Sequence, residues 1–197
     1  SPDRTRGMNI MHSCYACGAL LCPFVIAAAG RAGEKAPLFL LALLGAALWL
    51  AFAVTPMGPG GKKAGGRIDW SFLRSVRFWL LMGLIFCQNA AETSVTGWMV
   101  TYFKDSGIIA GVLSTYTVTV MWGATLVARL LIAFVFPFKN PRKAMVVMGA
   151  GCIVTYFGLM LAHSQTAAIV LLFCFAFAMA GMNPTAVAAA GRMTTVT

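Results

Sequence analysis

The chain has 197 residues, of which 60% are hydrophobic and 10% are charged, and its formal net charge at pH 7 is +10. A soluble domain carries about 25% charged residues, so this chain has too little polar surface for water and is predicted to be an integral membrane protein. In a soluble protein the positive charge would suggest nucleic acid as a partner. Here the basic residues lie between apolar runs, so they indicate membrane topology, and the expected partner is the lipid bilayer and not nucleic acid.

Six apolar runs are long enough to cross a bilayer, which takes about 20 residues in a helix. They do not alternate with period two, and they are too long for the strands of a barrel. The predicted fold class is therefore all-α, a polytopic membrane bundle of six transmembrane helices. The predicted spans cover residues 8–29, 37–55, 78–103, 108–136, 144–162 and 166–190.

The connections between the spans alternate in positive charge. If the N-terminus is cytoplasmic, eleven of the 15 Lys and Arg residues fall on the cytoplasmic side and three on the other. The positive-inside rule then predicts a multi-pass protein of the cell membrane with both termini in the cytoplasm. In the longest connection, residues 56–77, the apolar residues Ile68, Phe72 and Val76 recur every four positions, which is typical of a short amphipathic segment at the interface.

Prolines interrupt the first and the last span. Pro23 has no N–H to donate, so it should bend the first span and free the carbonyl of Ala19. Pro184 should likewise free the carbonyl of Ala180 in the last span. Broken helices at membrane depth are tolerated where they line a cavity. Asn183 beside this break is therefore a candidate site residue, and a kink without a ligand is the alternative.

The third span carries the strongest polar pattern. Gln88, Glu92 and Thr96 recur every four residues and share one helix face, with Asn89 beside it. Glu92 is the only acidic residue in the apolar runs, and a carboxylate at the bilayer centre costs about 3 kcal/mol or more. A rise of about 1.5 Å per residue places it near mid-bilayer. This face is predicted to line a functional site, with a buried Glu that serves only packing as the alternative.

The fourth span contains a tryptophan and an arginine at helical spacing. Trp122 lies deep in the span, away from the interface where Trp is enriched, so it is either a pathway residue or a core aromatic. Arg129 is predicted near the cytoplasmic end, about 16 Å in depth from Glu92 by helical rise, which disfavours an ion pair between them. It is interpreted as a gate or interface residue that snorkels or pairs with a group outside this chain. His12 of the first span is interpreted as a polar helix-end residue, with a protonation switch as the alternative.

These patterns together define the predicted site and exclude several chemistries. No nucleotide-binding loop, metal-ligand pattern, carboxylate pair or Ser/His/Asp set can be assembled, so neither an enzyme nor a cofactor nor a metal site is expected. The substrate-pathway candidates are Gln88, Asn89, Glu92, Thr96, Trp122 and Asn183. The gating or structural candidates are Arg129, Pro184, Gly97 and Pro23.

The order and spacing of four motifs resemble the fifth to tenth transmembrane helices of the major facilitator superfamily of secondary transporters. They are similar to motifs of the branch that includes fucose–proton symporters. The motifs are N-x-x-H with G-A-L-x-x-P in the first span, E-x-x-x-x-G-W-x-x-x-Y from Glu92, W-G-x-x-x-x-x-R from Trp122, and Asn183-Pro184-Thr185.

The resemblance implies a domain organisation and a function. Residues 1–55 would be the last two helices of an N-terminal bundle, 56–77 the central cytoplasmic loop, and 78–197 the first four helices of a C-terminal bundle. The implied function is transport of a small polar solute, such as a sugar, by alternating access. A coupling proton or sodium ion and the missing helices of a full-length transporter are the implied partners. Two alternatives stay open: a truncated, non-transporting membrane protein or assembly partner, and an exporter of a hydrophobic or cationic compound.

Overall fold

The structure, a computed structural model, describes residues 2–56, 70–111 and 113–193. This part of the chain is helical and contains no strand, which confirms the predicted all-α class. The helices are α1 (Pro2–Gly30), α2 (Ala36–Val54), a short 3-10 helix (Trp70–Arg74), α3 (Val76–Ser106), α4 (Leu113–Phe134), α5 (Pro141–Met160), α6 (Gln165–Met179) and α7 (Met182–Met193).

Five stretches in the described chain are long and apolar enough to cross a membrane: Arg6–Gly30, Ala36–Val54, Leu113–Phe134, Pro141–Met160 and Gln165–Gly191. Helix α3 corresponds to the remaining predicted span. With 31 residues it is about 46 Å long by helical rise, which is more than a bilayer core requires. Its polar face makes it less apolar than the five others, so length and not hydropathy is what supports a crossing.

The chain divides into two compact units, of which the smaller comprises residues 21–70. It contains the end of α1 and the whole of α2. In α2 only Pro37 is buried, and its large apolar side chains are exposed, which suits a helix that meets lipid or other helices. Helix α1 continues through Pro23 to Gly30 without interruption, so the bend expected there stays a prediction.

The predicted amphipathic segment is only partly described, because Ile68 lies outside the described residues. The structure shows a 3-10 helix of five residues in its place, Trp70–Arg74. The Phe72 ring packs edge-on against Phe78, with the ring centroids 5.0 Å apart. Val76 is the first residue of α3, and its side chain is exposed. The interval of four residues therefore does not correspond to one continuous amphipathic helix.

The larger unit comprises residues 1–20 and 71–197, and its apolar core lies toward one end. Helix α6 packs against α4 and α5, while α3 packs against α4 and α7. The buried apolar cluster gathers near the α3–α4 and α5–α6 turns, and includes Met99, Phe103, Ile109, Leu159, Leu172 and Phe175. The helical segments beyond this core carry the polar residues of the predicted site.

The last predicted span is two helices. Helix α6 ends at Met179 and α7 begins at Met182, which confirms the interruption expected beside Pro184. The break is closely packed, because a Cβ built on Gly181 would lie 2.6 Å from Ile132 Cδ1 and 3.0 Å from Met148 Sδ. A larger residue at this position would require the Ile132 and Met148 side chains to shift.

Candidate functional site

A cavity of about 250 Å³ lies within the larger unit. Four helices form its walls: α1, α3, α4 and α7. All of the side chains on the walls are polar or aromatic, in contrast to the apolar core beside it. They are His12, Tyr15, Asn89, Glu92, Thr93, Thr96, Trp122, Arg129 and Asn183.

The Glu92 carboxylate is oriented by a residue of its own helix. Gln88 Nε2 donates a hydrogen bond to Glu92 Oε2 over 2.8 Å. Gln88 is only 6% exposed and lies behind Glu92, not on the cavity wall. Its predicted place on the pathway stays a prediction; in the structure it contacts Glu92, which lines the cavity. Its Oε1 atom is buried without a hydrogen-bond partner.

The Thr96 hydroxyl is committed to the backbone of α3. Its Oγ1 donates to the Glu92 carbonyl at 2.7 Å and approaches the Thr93 carbonyl at 3.2 Å. Since a hydroxyl has one hydrogen to donate, Thr96 can only accept a hydrogen bond from a molecule in the cavity.

Two asparagines join α3 to α7 across the cavity wall. Asn183 Nδ2 donates to Asn89 Oδ1 over 3.0 Å, and Asn89 Nδ2 donates to the Ile85 carbonyl over 2.9 Å. This leaves the Asn183 carbonyl oxygen as an acceptor at the wall. The helix break and the polar face of α3, which are far apart in sequence, thus meet at one point.

The aromatic part of the wall comes from α1 and α4. Tyr15 packs edge-on against Trp122, with ring centroids 5.3 Å apart and planes at 75°. Trp122 is 8% exposed; most of its surface is packed, and the remainder lines the cavity. Such an edge-to-face pair contributes about 0.5–1.5 kcal/mol beyond the burial of surface.

Arg129 is buried and bridges two other helices. It is 3% exposed. Its Nε donates to the Ala180 carbonyl over 3.1 Å, and its Nη1 donates to the His12 carbonyl over 2.8 Å. Arg129 therefore does not snorkel to the membrane surface, and both of its hydrogen-bond partners lie within this chain.

The predicted depth separation of Arg129 and Glu92 is also wrong, because both side chains line the same cavity. The predicted helix ends were misplaced. Helix α3 continues to Ser106 and α4 starts at Leu113, so Glu92 and Arg129 lie about 21 Å and about 24 Å from the α3–α4 turn by helical rise. Although near in depth, the two make no salt bridge, and Arg129 donates to carbonyls instead.

Three residues of the cavity belong neither to the predicted pathway nor to the predicted gating residues: His12, Tyr15 and Thr93. His12 and Tyr15 are three positions apart and share a face of α1, which is the signal that could have paired them. Which face of α1 meets the other helices depends on tertiary packing. Gly97, a predicted structural residue, is exposed, and a Cβ built on it would meet no described atom within 4 Å.

The described residues contain no group of His, Cys, Asp or Glu that could hold a metal ion. The family model of the Major Facilitator Superfamily matches residues 1–196. No curated protein and no solved structure matches the chain. The match extends over nearly the whole sequence, and it agrees with a helical chain that has several apolar stretches of membrane length. The chain therefore belongs to the Major Facilitator Superfamily, a family of multi-pass membrane transporters.

Proposed function

We propose that this chain forms part of a permease that moves a small polar solute, such as a sugar, across the cell membrane by alternating access. The observation that carries the proposal is the cavity, whose walls are entirely polar or aromatic. Charged groups at membrane depth are costly, at about 3 kcal/mol each on insertion scales. Glu92 and Arg129 in one cavity thus favour a binding role over simple packing.

The lining of the cavity favours a polar solute. All of the side chains that line it are polar or aromatic. Glu92 also shares the cavity with Arg129, so its charge is not a free counter-charge for a cation. Both facts disfavour export of a hydrophobic or cationic compound.

The free hydrogen-bonding groups suit a solute with several hydroxyls. Glu92 uses one carboxylate oxygen for Gln88, which leaves the other as an acceptor. The Asn183 carbonyl oxygen is a second acceptor, and the guanidinium of Arg129 has donors beyond the two that bind carbonyls. A polyol can donate to the first two groups and accept from the third, while Trp122 contacts its apolar surface.

The proposal includes the domain organisation that the resemblance implies. Helices α1 and α2 would belong to the N-terminal bundle, and α3 to α7 would belong to the C-terminal bundle, with both termini cytoplasmic. The cavity is lined by α1 together with α3, α4 and α7, so both bundles would contribute to it. That arrangement is the one alternating access requires. A proton or sodium gradient is the proposed driving force.

The test is uptake by the full-length protein carrying Glu92→Gln. This change keeps the shape of the side chain and removes its charge. We expect uptake of the transported solute, selected from a panel of radiolabelled sugars, to fall by about tenfold or more, as for a lost charge-assisted hydrogen bond. Expression at the membrane should be unchanged.

The matched control is Glu34→Gln, the same chemical change at an exposed position between α1 and α2. It should transport like the wild type. Wild-type uptake by Glu92→Gln would contradict the assignment of the cavity. Dissipating the proton or the sodium gradient separately identifies the coupling ion.

A further inference from the structure

We propose that Arg129 is a positioning residue. It replaces the hydrogen bond that Pro184 cannot make, and it thereby fixes the break between α6 and α7 so that Asn183 faces the cavity. Only the solute-binding role of Asn183 rests on the proposed function. The hydrogen bond from Arg129 to the Ala180 carbonyl, here called the brace, follows from the contacts of Arg129. It is testable without a transported solute.

The first step is the missing donor. In a continuous helix the N–H of residue 184 would bond to the carbonyl of residue 180, and Pro184 has no N–H. Ala180 still has helical dihedral angles, with φ −53° and ψ −37°, so its carbonyl is directed along the helix toward position 184. Ala180 is 2% exposed, so water does not replace the lost donor. Arg129 Nε supplies it over 3.1 Å.

The second step is that one guanidinium serves two helices. Its Nη1 donates to the His12 carbonyl of α1 over 2.8 Å. The planar fork of arginine holds two donors in fixed directions, whereas the single ammonium of lysine is a point charge on a flexible stem. Arg129 therefore connects α4 to the break and to α1. Helix α1 and helix α7, which begins at the break, contribute the cavity residues that do not come from α3 or α4.

The third step is that the break has little freedom to shift. Gly181 is enclosed by Ile132 of α4 and Met148 of α5. With Ala180 held by Arg129 and Gly181 held by packing, α7 starts at Met182. Asn183 is then placed to reach Asn89 on α3. If α6 and α7 merged into one straight helix, the direction of Asn183 would change.

The brace predicts that two substitutions interact, because alanine at position 184 regains the N–H that Arg129 replaces. In the full-length protein in detergent, Arg129→Met should lower the midpoint temperature of unfolding by about 5 °C, since it leaves a buried carbonyl without a donor. In a Pro184→Ala background the same substitution should cause a smaller loss, because only the His12 carbonyl then loses its donor. Equal losses in the two backgrounds would overturn the brace.

Arg129→Lys separates the bridge from the positive charge. Lysine keeps a charge near Glu92 but does not present a planar fork to two carbonyls. We expect it to resemble Arg129→Met in the stability cycle, and full rescue by lysine would refute the bridge. If Arg129→Met alone yields no folded protein, recovery of folded protein by Pro184→Ala supports the brace, and failure to recover refutes it.

A positional readout distinguishes placement of Asn183 from general stability. Asn89→Cys and Asn183→Cys are introduced together into a protein that lacks its native cysteines, and a short bifunctional thiol reagent is added well below the unfolding temperature. Cross-linking should be efficient with Arg129 present and several-fold slower with Arg129→Met. An unchanged rate would refute the positioning role. Neither readout depends on uptake, so a failed brace is distinguishable from a failed transport proposal.

Discussion

Gly181→Ala adds one methyl group at the most tightly enclosed glycine of the described chain. The new Cβ would lie 2.6 Å from Ile132 Cδ1, 3.0 Å from Met148 Sδ and 3.4 Å from Phe138 Cε2. Carbon atoms in contact prefer separations of about 3.5–4.0 Å, so Ile132 must retreat by about 1 Å while its neighbours also move. Overpacking of this kind costs about 1–3 kcal/mol.

The helix propensity of alanine offsets little of this cost, because Gly181 lies between two helices and not inside one. A loss of about 1–2 kcal/mol corresponds to a fall of about 2–8 °C in the unfolding midpoint of a chain this size. Scanning fluorimetry of the full-length protein in detergent measures it. The matched control is Gly83→Ala inside α3, where a Cβ meets nothing described within 4 Å and alanine is favoured by up to about 1 kcal/mol. If Gly181→Ala were as stable as Gly83→Ala, the tight packing of the break would be refuted.

Two further predictions concern side chains around the cavity. Gln88→Leu removes the donor that orients the Glu92 carboxylate, and we expect uptake to fall by about tenfold at unchanged expression, as for a lost hydrogen bond to a charged group; wild-type uptake would show that Glu92 needs no orientation. Asn89→Ala and Asn183→Ala each remove the same hydrogen bond, so their effects on the apparent KM of uptake should be non-additive by about 0.5 kcal/mol or more, and additive effects would contradict the pairing of the two amides.

Much of the site could be predicted because it depends on one helix at a time. The period of α3 places Asn89, Glu92 and Thr96 near one face, and all three line the cavity. The break between α6 and α7 follows from the chemistry of proline, which cannot donate a backbone hydrogen bond whatever the surroundings. Such local rules require no knowledge of the neighbouring helices.

The rest depends on helix ends and on packing, which local patterns determine poorly. The predicted third span ended at residue 103 and the fourth began at 108, but α3 continues to Ser106 and α4 begins at Leu113. These shifts of three to five residues were enough to separate Arg129 from Glu92 in the prediction. His12 and Tyr15 cannot be identified from the sequence, because the contact face of α1 is set by Arg129 and Trp122 of α4, which contact these two residues.

Gln88 shows that a shared helix face does not bring every residue on it to the cavity wall. It shares the helix face of Glu92, yet it is buried one turn away and only supports the carboxylate. Periodicity predicts on which side of a helix a residue lies. The packing of neighbouring helices determines how far along that side the cavity extends.

The central claim is that the cavity binds the transported solute, and solute protection of a single cysteine tests it most directly. Thr93→Cys places a thiol on the cavity wall in a protein without native cysteines, and Glu34→Cys places one at an exposed site outside it. The sugar with the highest uptake should slow modification of Thr93→Cys by a water-soluble thiol reagent, with half-protection near its KM for transport, and should leave Glu34→Cys unaffected. Equal modification of Thr93→Cys with and without saturating sugar would contradict the claim.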